Sequence, residues 1–255
     1  MTVVKKLGYK LKFDVNEAKK RVDFLDKLRI DRALSDTTES FQLVFKVIPL
    51  LLHFNHPALP CYVANAPTGI ARFSLSGFQQ DYLAQTLSEE QRKNIQKKHR
   101  TFEQEAILGV YVMGSIASIA QTPSSDLDIW ICHREDLNPS ALELLQQKTN
   151  AIQQWAKCFQ VEINFYLMDQ KRFRCFRYAD PMDGENCGST QYMLLLDEFY
   201  RSAIRLAGKP LLWLHLLVER EENYEAEIER LTQEGQLDLN DWVDFGGLGS
   251  FSANE

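Results

Sequence analysis

Between residues 15 and 53 apolar positions recur at helical intervals. In "NEAKKRVDFLDKLRIDRAL", Val22, Leu25, Leu28 and Ile30 are set among charges, the pattern of an amphipathic helix. "ESFQLVFKVIPLLLHF" reads as a second, more apolar helix, bent or ended around Pro49 because proline lacks the N–H a helix needs. Three prolines and a glycine mark "NHPALPCYVANAPTG" as a loop. The polar stretch "SEEQRKNIQKKHRTFEQEA" is then a helix whose charges form a solvated face.

The middle of the chain changes period. "AILGVYVMG" (106–114), "DLDIWICH" (126–133) and "FQVEINFYLMD" (159–169) are strand-like, rich in β-branched and aromatic residues. Residues 140–157 have helical period between the last two. "STQYMLLLDEFYRSAIRLAG" reads as another helix, with Tyr192, Leu195, Leu196, Phe199 and Ala203 on one face, and "KPLLWLHLLV" (209–218) as a fourth strand. The expected architecture is α+β: a helical N-terminal region (1–104) followed by a mixed-sheet domain (105–255).

Composition narrows the function classes. The 255 residues are 45% apolar and 25% charged, ordinary for a globular protein, and the net charge of −6 argues against a general nucleic-acid binder. Five scattered cysteines form no CxxC pair, so neither a zinc site nor a disulfide framework is expected. Cys132 and Cys158 lie in apolar runs and read as buried thiols. The N-terminal lysines lead into a charged helix, not a signal-peptide core, and no apolar run is long enough to span a membrane. A reducing cytoplasm is the expected location. His53, His56 and His133 have no partners at ligand spacing and read as structural; Trp130 and Trp155 read as core.

The chemistry concentrates in "MGSIASIAQTPSSDLDIW", residues 113–130. Strand alternation puts Asp126 and Asp128 on one face, roughly 7 Å apart. Carboxylates that close repel each other unless a positive group intervenes, and Mg²⁺ takes carboxylate and phosphate oxygens together. Gly114 permits a tight turn after the preceding strand, and Ser115 offers a hydroxyl and an N–H where phosphate is favoured. Glu162, alternating with Val161 and Ile163, is the candidate third acid, with Asp169 second.

Gly114-Ser115, a spacer, Asp126-Leu127-Asp128 and then Glu162 resembles the signature of the nucleotidyltransferase superfamily typified by DNA polymerase beta. "RIDRAL" (29–34), "IPLLLHFNHP" (48–57), "VYVMGS", "SSDLDIWICH", "CGSTQYMLLLDEFYRSAIRLAGK" and "DWVDFGGLGSFSANE" together resemble the class I adenylate cyclases of gamma-proteobacteria, from about residue 15 to the end. Members of that class are considerably longer, so this chain is expected to be the N-terminal catalytic part without a C-terminal regulatory region.

The resemblance implies conversion of ATP to 3′,5′-cyclic AMP and pyrophosphate. It implies Mg²⁺ (or Mn²⁺) on Asp126, Asp128 and Glu162, phosphates on Gly114 and Ser115, and a regulatory partner acting through the missing region. Ser189 precedes a helix as either an N-cap or a phosphate contact. Arg205, four residues after Arg201 and eight after Asp197, belongs either to an exposed ion-pair ladder or, with Lys209, to the triphosphate. A transferase using an external acceptor and a non-catalytic nucleotide-binding module are the alternatives.

Overall fold

The computed structural model describes residues 14–100, 105–114, 126–174, 196–216 and 223–247. Four helices come first: α1 (Val15–Ser35), α2 (Glu39–His53), α3 (Gly77–Thr86) and α4 (Glu89–Arg100). Strands β1 (Ile107–Met113) and β2 (Leu127–His133) precede α5 (Pro139–Lys157), β3 (Ile163–Asp169) and the short α6 (Gln170–Arg174). Residues 196–202 are helical (α7) and run into β4 (Ile204–Gly208); α8 (Tyr224–Gln233) follows.

The strands form one mixed sheet in the order β3-β2-β1-β4. β1 is antiparallel to β2 and β4, whereas β2 and β3 are parallel and joined through α5. Asn138 caps α5 by accepting the Ala141 amide, with Pro139 in the first turn, where its missing N–H costs nothing. The α+β architecture read from the sequence is the one observed.

Strand alternation divides the core into two layers. Val110, Val112, Ile129 and Ile131 pack with Ile48 and Leu51 of α2 and with Leu145 and Ile152 of α5. This apolar cluster crosses the boundary expected near residue 104. On the opposite face Tyr111, Trp130, Cys132 and Met168 pack with Phe199 of α7 and with Phe245. Trp130 stacks on Phe199 with ring centroids 4.0 Å apart.

Several local expectations give way to tertiary context. The helix expected through residue 208 stops at 202, because the open edge of β1 recruits Ile204–Gly208 as the fourth strand; pairing overrides local propensity. Residues 209–216, the described part of the expected fourth strand, are therefore not that strand: Pro210 cannot extend the ladder, and Trp213–His215 form a 3-10 turn. Pro49 does not end α2, which continues to His53 with every residue from Val47 to Leu52 buried around it. Cys132 is buried as expected, but Cys158 is exposed at the C-terminal cap of α5.

α1 is the largest surprise in packing. Its apolar residues Phe24, Leu25 and Leu28 are 61%, 55% and 49% exposed, while Asp26 is buried. Val15, Ala33 and Leu34 are buried at its two ends, and its middle turns are held by polar contacts: Arg29 donates to the carbonyls of Ala203 (2.9 Å) and Ser202 (2.5 Å), and Asp26 accepts the Arg205 amide (3.2 Å). Among the described residues no helix is long and apolar enough to cross a membrane.

Candidate functional site

Asp126 immediately precedes β2 and Asp128 is its second residue. Their alternation puts both on the Trp130 face, at the end of the sheet where β1 finishes. Asp128 lies opposite Met113 on β1 and opposite Asn164 on β3. The Asn164 side-chain amide donates to both acids, at 3.1 Å to Asp126 Oδ2 and 3.0 Å to Asp128 Oδ1. Burial pushes the Asp128 carboxyl above the usual carboxylate range and the Asp126 charge adds to this, while hydrogen bonds from Asn164 and Tyr166 pull the other way.

Gly114 makes the turn after β1 with φ +85°, and a Cβ there would lie 3.4 Å from Asp128 Oδ2. The turn and the acid pair are therefore in van der Waals range. The Gly114 amide donates to Ser202 Oγ at 3.0 Å, so this N–H already has a partner inside the protein. Ser115 and Ser189 lie outside the described residues, as do Tyr192 and Leu195.

Glu162 stands just before β3, and its carbonyl accepts the Leu127 amide at 2.9 Å. By alternation it shares the face of Asn164, and its side chain is exposed. Among the described residues no three His, Cys, Asp or Glu side chains gather as a metal-binding group. Asp126 and Asp128 alone come together, and two half-buried carboxylates within reach of one amide nitrogen are a donor set that suits a hard divalent cation. Asp169 ends β3 at the far end of the sheet, opposite His133.

The two basic candidates are placed elsewhere. Arg205 is on a strand, not a helix, and so leaves the ladder in which Asp197 pairs with Arg201. Its guanidinium donates to Asp23 of α1 (2.5 Å) and to the Gly208 carbonyl (2.9 Å). Lys209 leaves β4 beside Leu108, to whose carbonyl its amide donates at 2.8 Å. Met113 lies five residue steps along β1 from Leu108, about 17 Å at strand rise, so Lys209 is not brought to the acids. A cavity of about 460 Å³ opens between α1, α2, α3 and β4, with Lys46, Phe78 and Arg205 in its wall and neither acid.

Asn164 and Tyr166 are the site residues that a search for acids and bases passes over. Their signal is nevertheless present: in "VEINFYL" the polar residues Glu162, Asn164 and Tyr166 fall at every second position, which marks one polar strand face.

Fold and site together define an α+β protein with paired carboxylates at the mouth of a mixed sheet. The chain belongs to the adenylate cyclase N-terminal domain family, whose model, described as "Adenylate cyclase NT domain", matches residues 14–214. It is 63% identical over 246 residues to an adenylate cyclase of Pasteurella multocida, covering 96% of this chain and 29% of that protein. Identity to an adenylate cyclase of Haemophilus influenzae is 56% (94% of this chain, 29% of the relative), and to one of Escherichia coli K12 41% (94% and 28%). The chain thus spans under a third of the length of these relatives. Among solved structures, the spectinomycin adenyltransferase of Enterococcus faecialis with ATP and spectinomycin is 19% identical, covering 58% of this chain and 67% of its own, with a TM-score of 0.32.

Proposed function

We propose that this chain is the catalytic region of an adenylate cyclase of the nucleotidyltransferase type, acting in the cytoplasm on ATP with Mg²⁺. The observation that supports this most is the pairing of Asp126 and Asp128 on one strand face, beside the Gly114 turn. Asp126 and Asp128 would hold the cation, with Glu162 at the strand mouth as third acid. When bound, Mg²⁺ supplies charge stabilisation for the phosphates and acidifies a coordinated hydroxyl. Asp126 and Asp128 orient the cation side of the site, and Glu162, exposed at the mouth of the adjacent strand, is assigned to accept the proton of the ribose 3′-hydroxyl. The Gly114–Ser115 turn and Ser189 are assigned to the phosphates. Arg205 retains its partner Asp23 and acts on α1 instead.

The purified chain with ATP and Mg²⁺ is expected to release cyclic AMP and pyrophosphate in equal amounts, since cyclisation carries its own nucleophile. Asp126→Asn and Asp128→Asn should each lower the rate at least about 10³-fold with an unchanged unfolding transition. 3′-Deoxy-ATP lacks the attacking oxygen and should bind without turnover. Consumption of 3′-deoxy-ATP, or recovery of the nucleotide joined to an added acceptor, would replace the cyclase reading with a transferase one.

A further inference from the structure

The acid pair raises a question before any cation is considered: two carboxylates on alternate strand positions, both half-buried, repel each other. Asn164 stands between them and bonds both. Register places it directly across from Asp128 on the parallel strand, and its two amide protons are spent one on each acid. Only the NH₂ end of the side chain satisfies two carboxylates at once, so the network fixes its orientation. The two accepting oxygens are thereby kept within about 6 Å of each other, set by two hydrogen-bond lengths from a shared nitrogen. Tyr166, two residues further along the same face, adds a second hydrogen bond to Asp128, while Ile163 and Phe165 point to the other layer and pack there.

We propose that Asn164 is the positioning residue of the acid pair, a neutral bridge that holds Asp126 and Asp128 in their cation-receiving arrangement before a cation arrives. The inference rests on the metal-binding reading of the site given above. A neutral bridge has an advantage over a lysine or arginine at the same place: it restrains both carboxylates without neutralising them, so their charge remains for the incoming ion. A third carboxylate there would add repulsion in the empty site, which is the physical reason for an amide at 164 with the acid, Glu162, one step further out.

The bridge and the metal reading are tested separately. In EDTA, unfolding constants are measured for the wild type, Asn164→Leu, Asp126→Asn and the double variant. Asn164→Leu is expected to raise the unfolding constant at least about threefold more in the wild-type background than beside Asp126→Asn, where there is no like-charge pair left to hold. Additive effects overturn the proposal. Binding of Mn²⁺ alone, followed by the electron paramagnetic resonance of the free ion, should be about tenfold weaker in Asn164→Leu at unchanged stoichiometry, the usual cost of losing a group that orients a ligand. Unchanged affinity in the folded variant also overturns it. Asn164→Asp gives the second variant: a third carboxylate between the two acids should lower stability in EDTA by like-charge repulsion, and an unchanged unfolding constant overturns the proposal. If the wild type takes up no Mn²⁺ while the EDTA cycle is coupled, the metal reading fails and the bridge stands.

Discussion

Ser202 Oγ accepts the Gly114 amide at 3.0 Å and donates its own proton to the Glu198 carbonyl at 2.8 Å. One hydroxyl therefore fastens the turn beside the acid pair to the last turn of α7. Ser202→Ala is expected to cost about 1 kcal/mol, one net hydrogen bond with its donor left unpaired. Gly114→Ala should cost about 1–3 kcal/mol, because φ +85° strains any side chain. Denaturant unfolding measures both. Protection of the fold by ATP with Mg²⁺ should fall further in Gly114→Ala, since the strained turn touches Asp128.

The same segment is held from the other side by α1. Arg29 bonds the Ser202 and Ala203 carbonyls, and buried Asp26 accepts the Arg205 amide. Arg29→Met keeps the aliphatic stem but removes two charge-assisted hydrogen bonds, an expected loss of about 2–3 kcal/mol. Leu28→Ser, on the exposed side of the same helix, should change stability by less than about 0.5 kcal/mol. A reversed order in the two unfolding midpoints would show that α1 is held by its apolar face instead.

How much of this was legible in the sequence follows from where local pattern and tertiary partner agree. β1, β2, α5 and β3 carry their period plainly, and the observed bounds differ from the reading by four residues at most. The acids Asp126 and Asp128 were legible because polar residues at alternate positions in an apolar strand are conspicuous. β4 was not. "AIRLAG" continues a helical pattern, and only the vacant edge of β1 converts it to a strand. α1 misled for the opposite reason: its apolar spacing is real, yet Phe24, Leu25 and Leu28 face outward and its middle turns are seated by Asp23, Asp26 and Arg29, with apolar packing confined to Val15 at one end and Ile30, Ala33 and Leu34 at the other. Lys209 looked close to Arg205 in the chain, but strand geometry carries it along the sheet to the wrong end.

His215 sits buried against Trp242, with Nδ1 2.6 Å from the Leu211 carbonyl and, among the described residues, no hydrogen-bond partner for Nε2. Burial is the main cause lowering its pKa to about 4. The unfolded chain takes up the proton near 6.5 and the folded chain only near 4, so protonation favours unfolding between those values. The stability difference between wild type and His215→Phe should be flat above pH 6.5. It should then move against the wild type by up to about 3 kcal/mol as pH falls to 4. A flat difference across that range would mean that the imidazole is hydrated.

Lys148 gives the opposite window. It is fully buried on α5, where its ammonium donates to Asn55 Oδ1 (3.2 Å) and the Cys61 carbonyl (2.7 Å). Burial lowers its pKa to about 8. The unfolded chain keeps this proton up to about 10.5, so between pH 8 and 10.5 the unfolded state binds more protons and stability rises with pH. Nearby Cys61 works against the trend, since burial lifts its thiol to about 11 and stability falls once the unfolded thiol ionises near 9. A single pH profile would mix the two. The two groups are coupled, since the Lys148 charge lowers the Cys61 pKa, so the difference between wild type and Lys148→Met is measured in a Cys61→Ser background. That difference should be constant below pH 8 and should climb in favour of the wild type by up to about 3 kcal/mol by pH 10.5. Below pH 8 the methionine variant forgoes two hydrogen bonds but also the burial of a charge, and the two terms oppose each other. Chemical unfolding at intervals of half a pH unit resolves the slope; a difference that stays level through pH 10.5 would show that water reaches the ammonium.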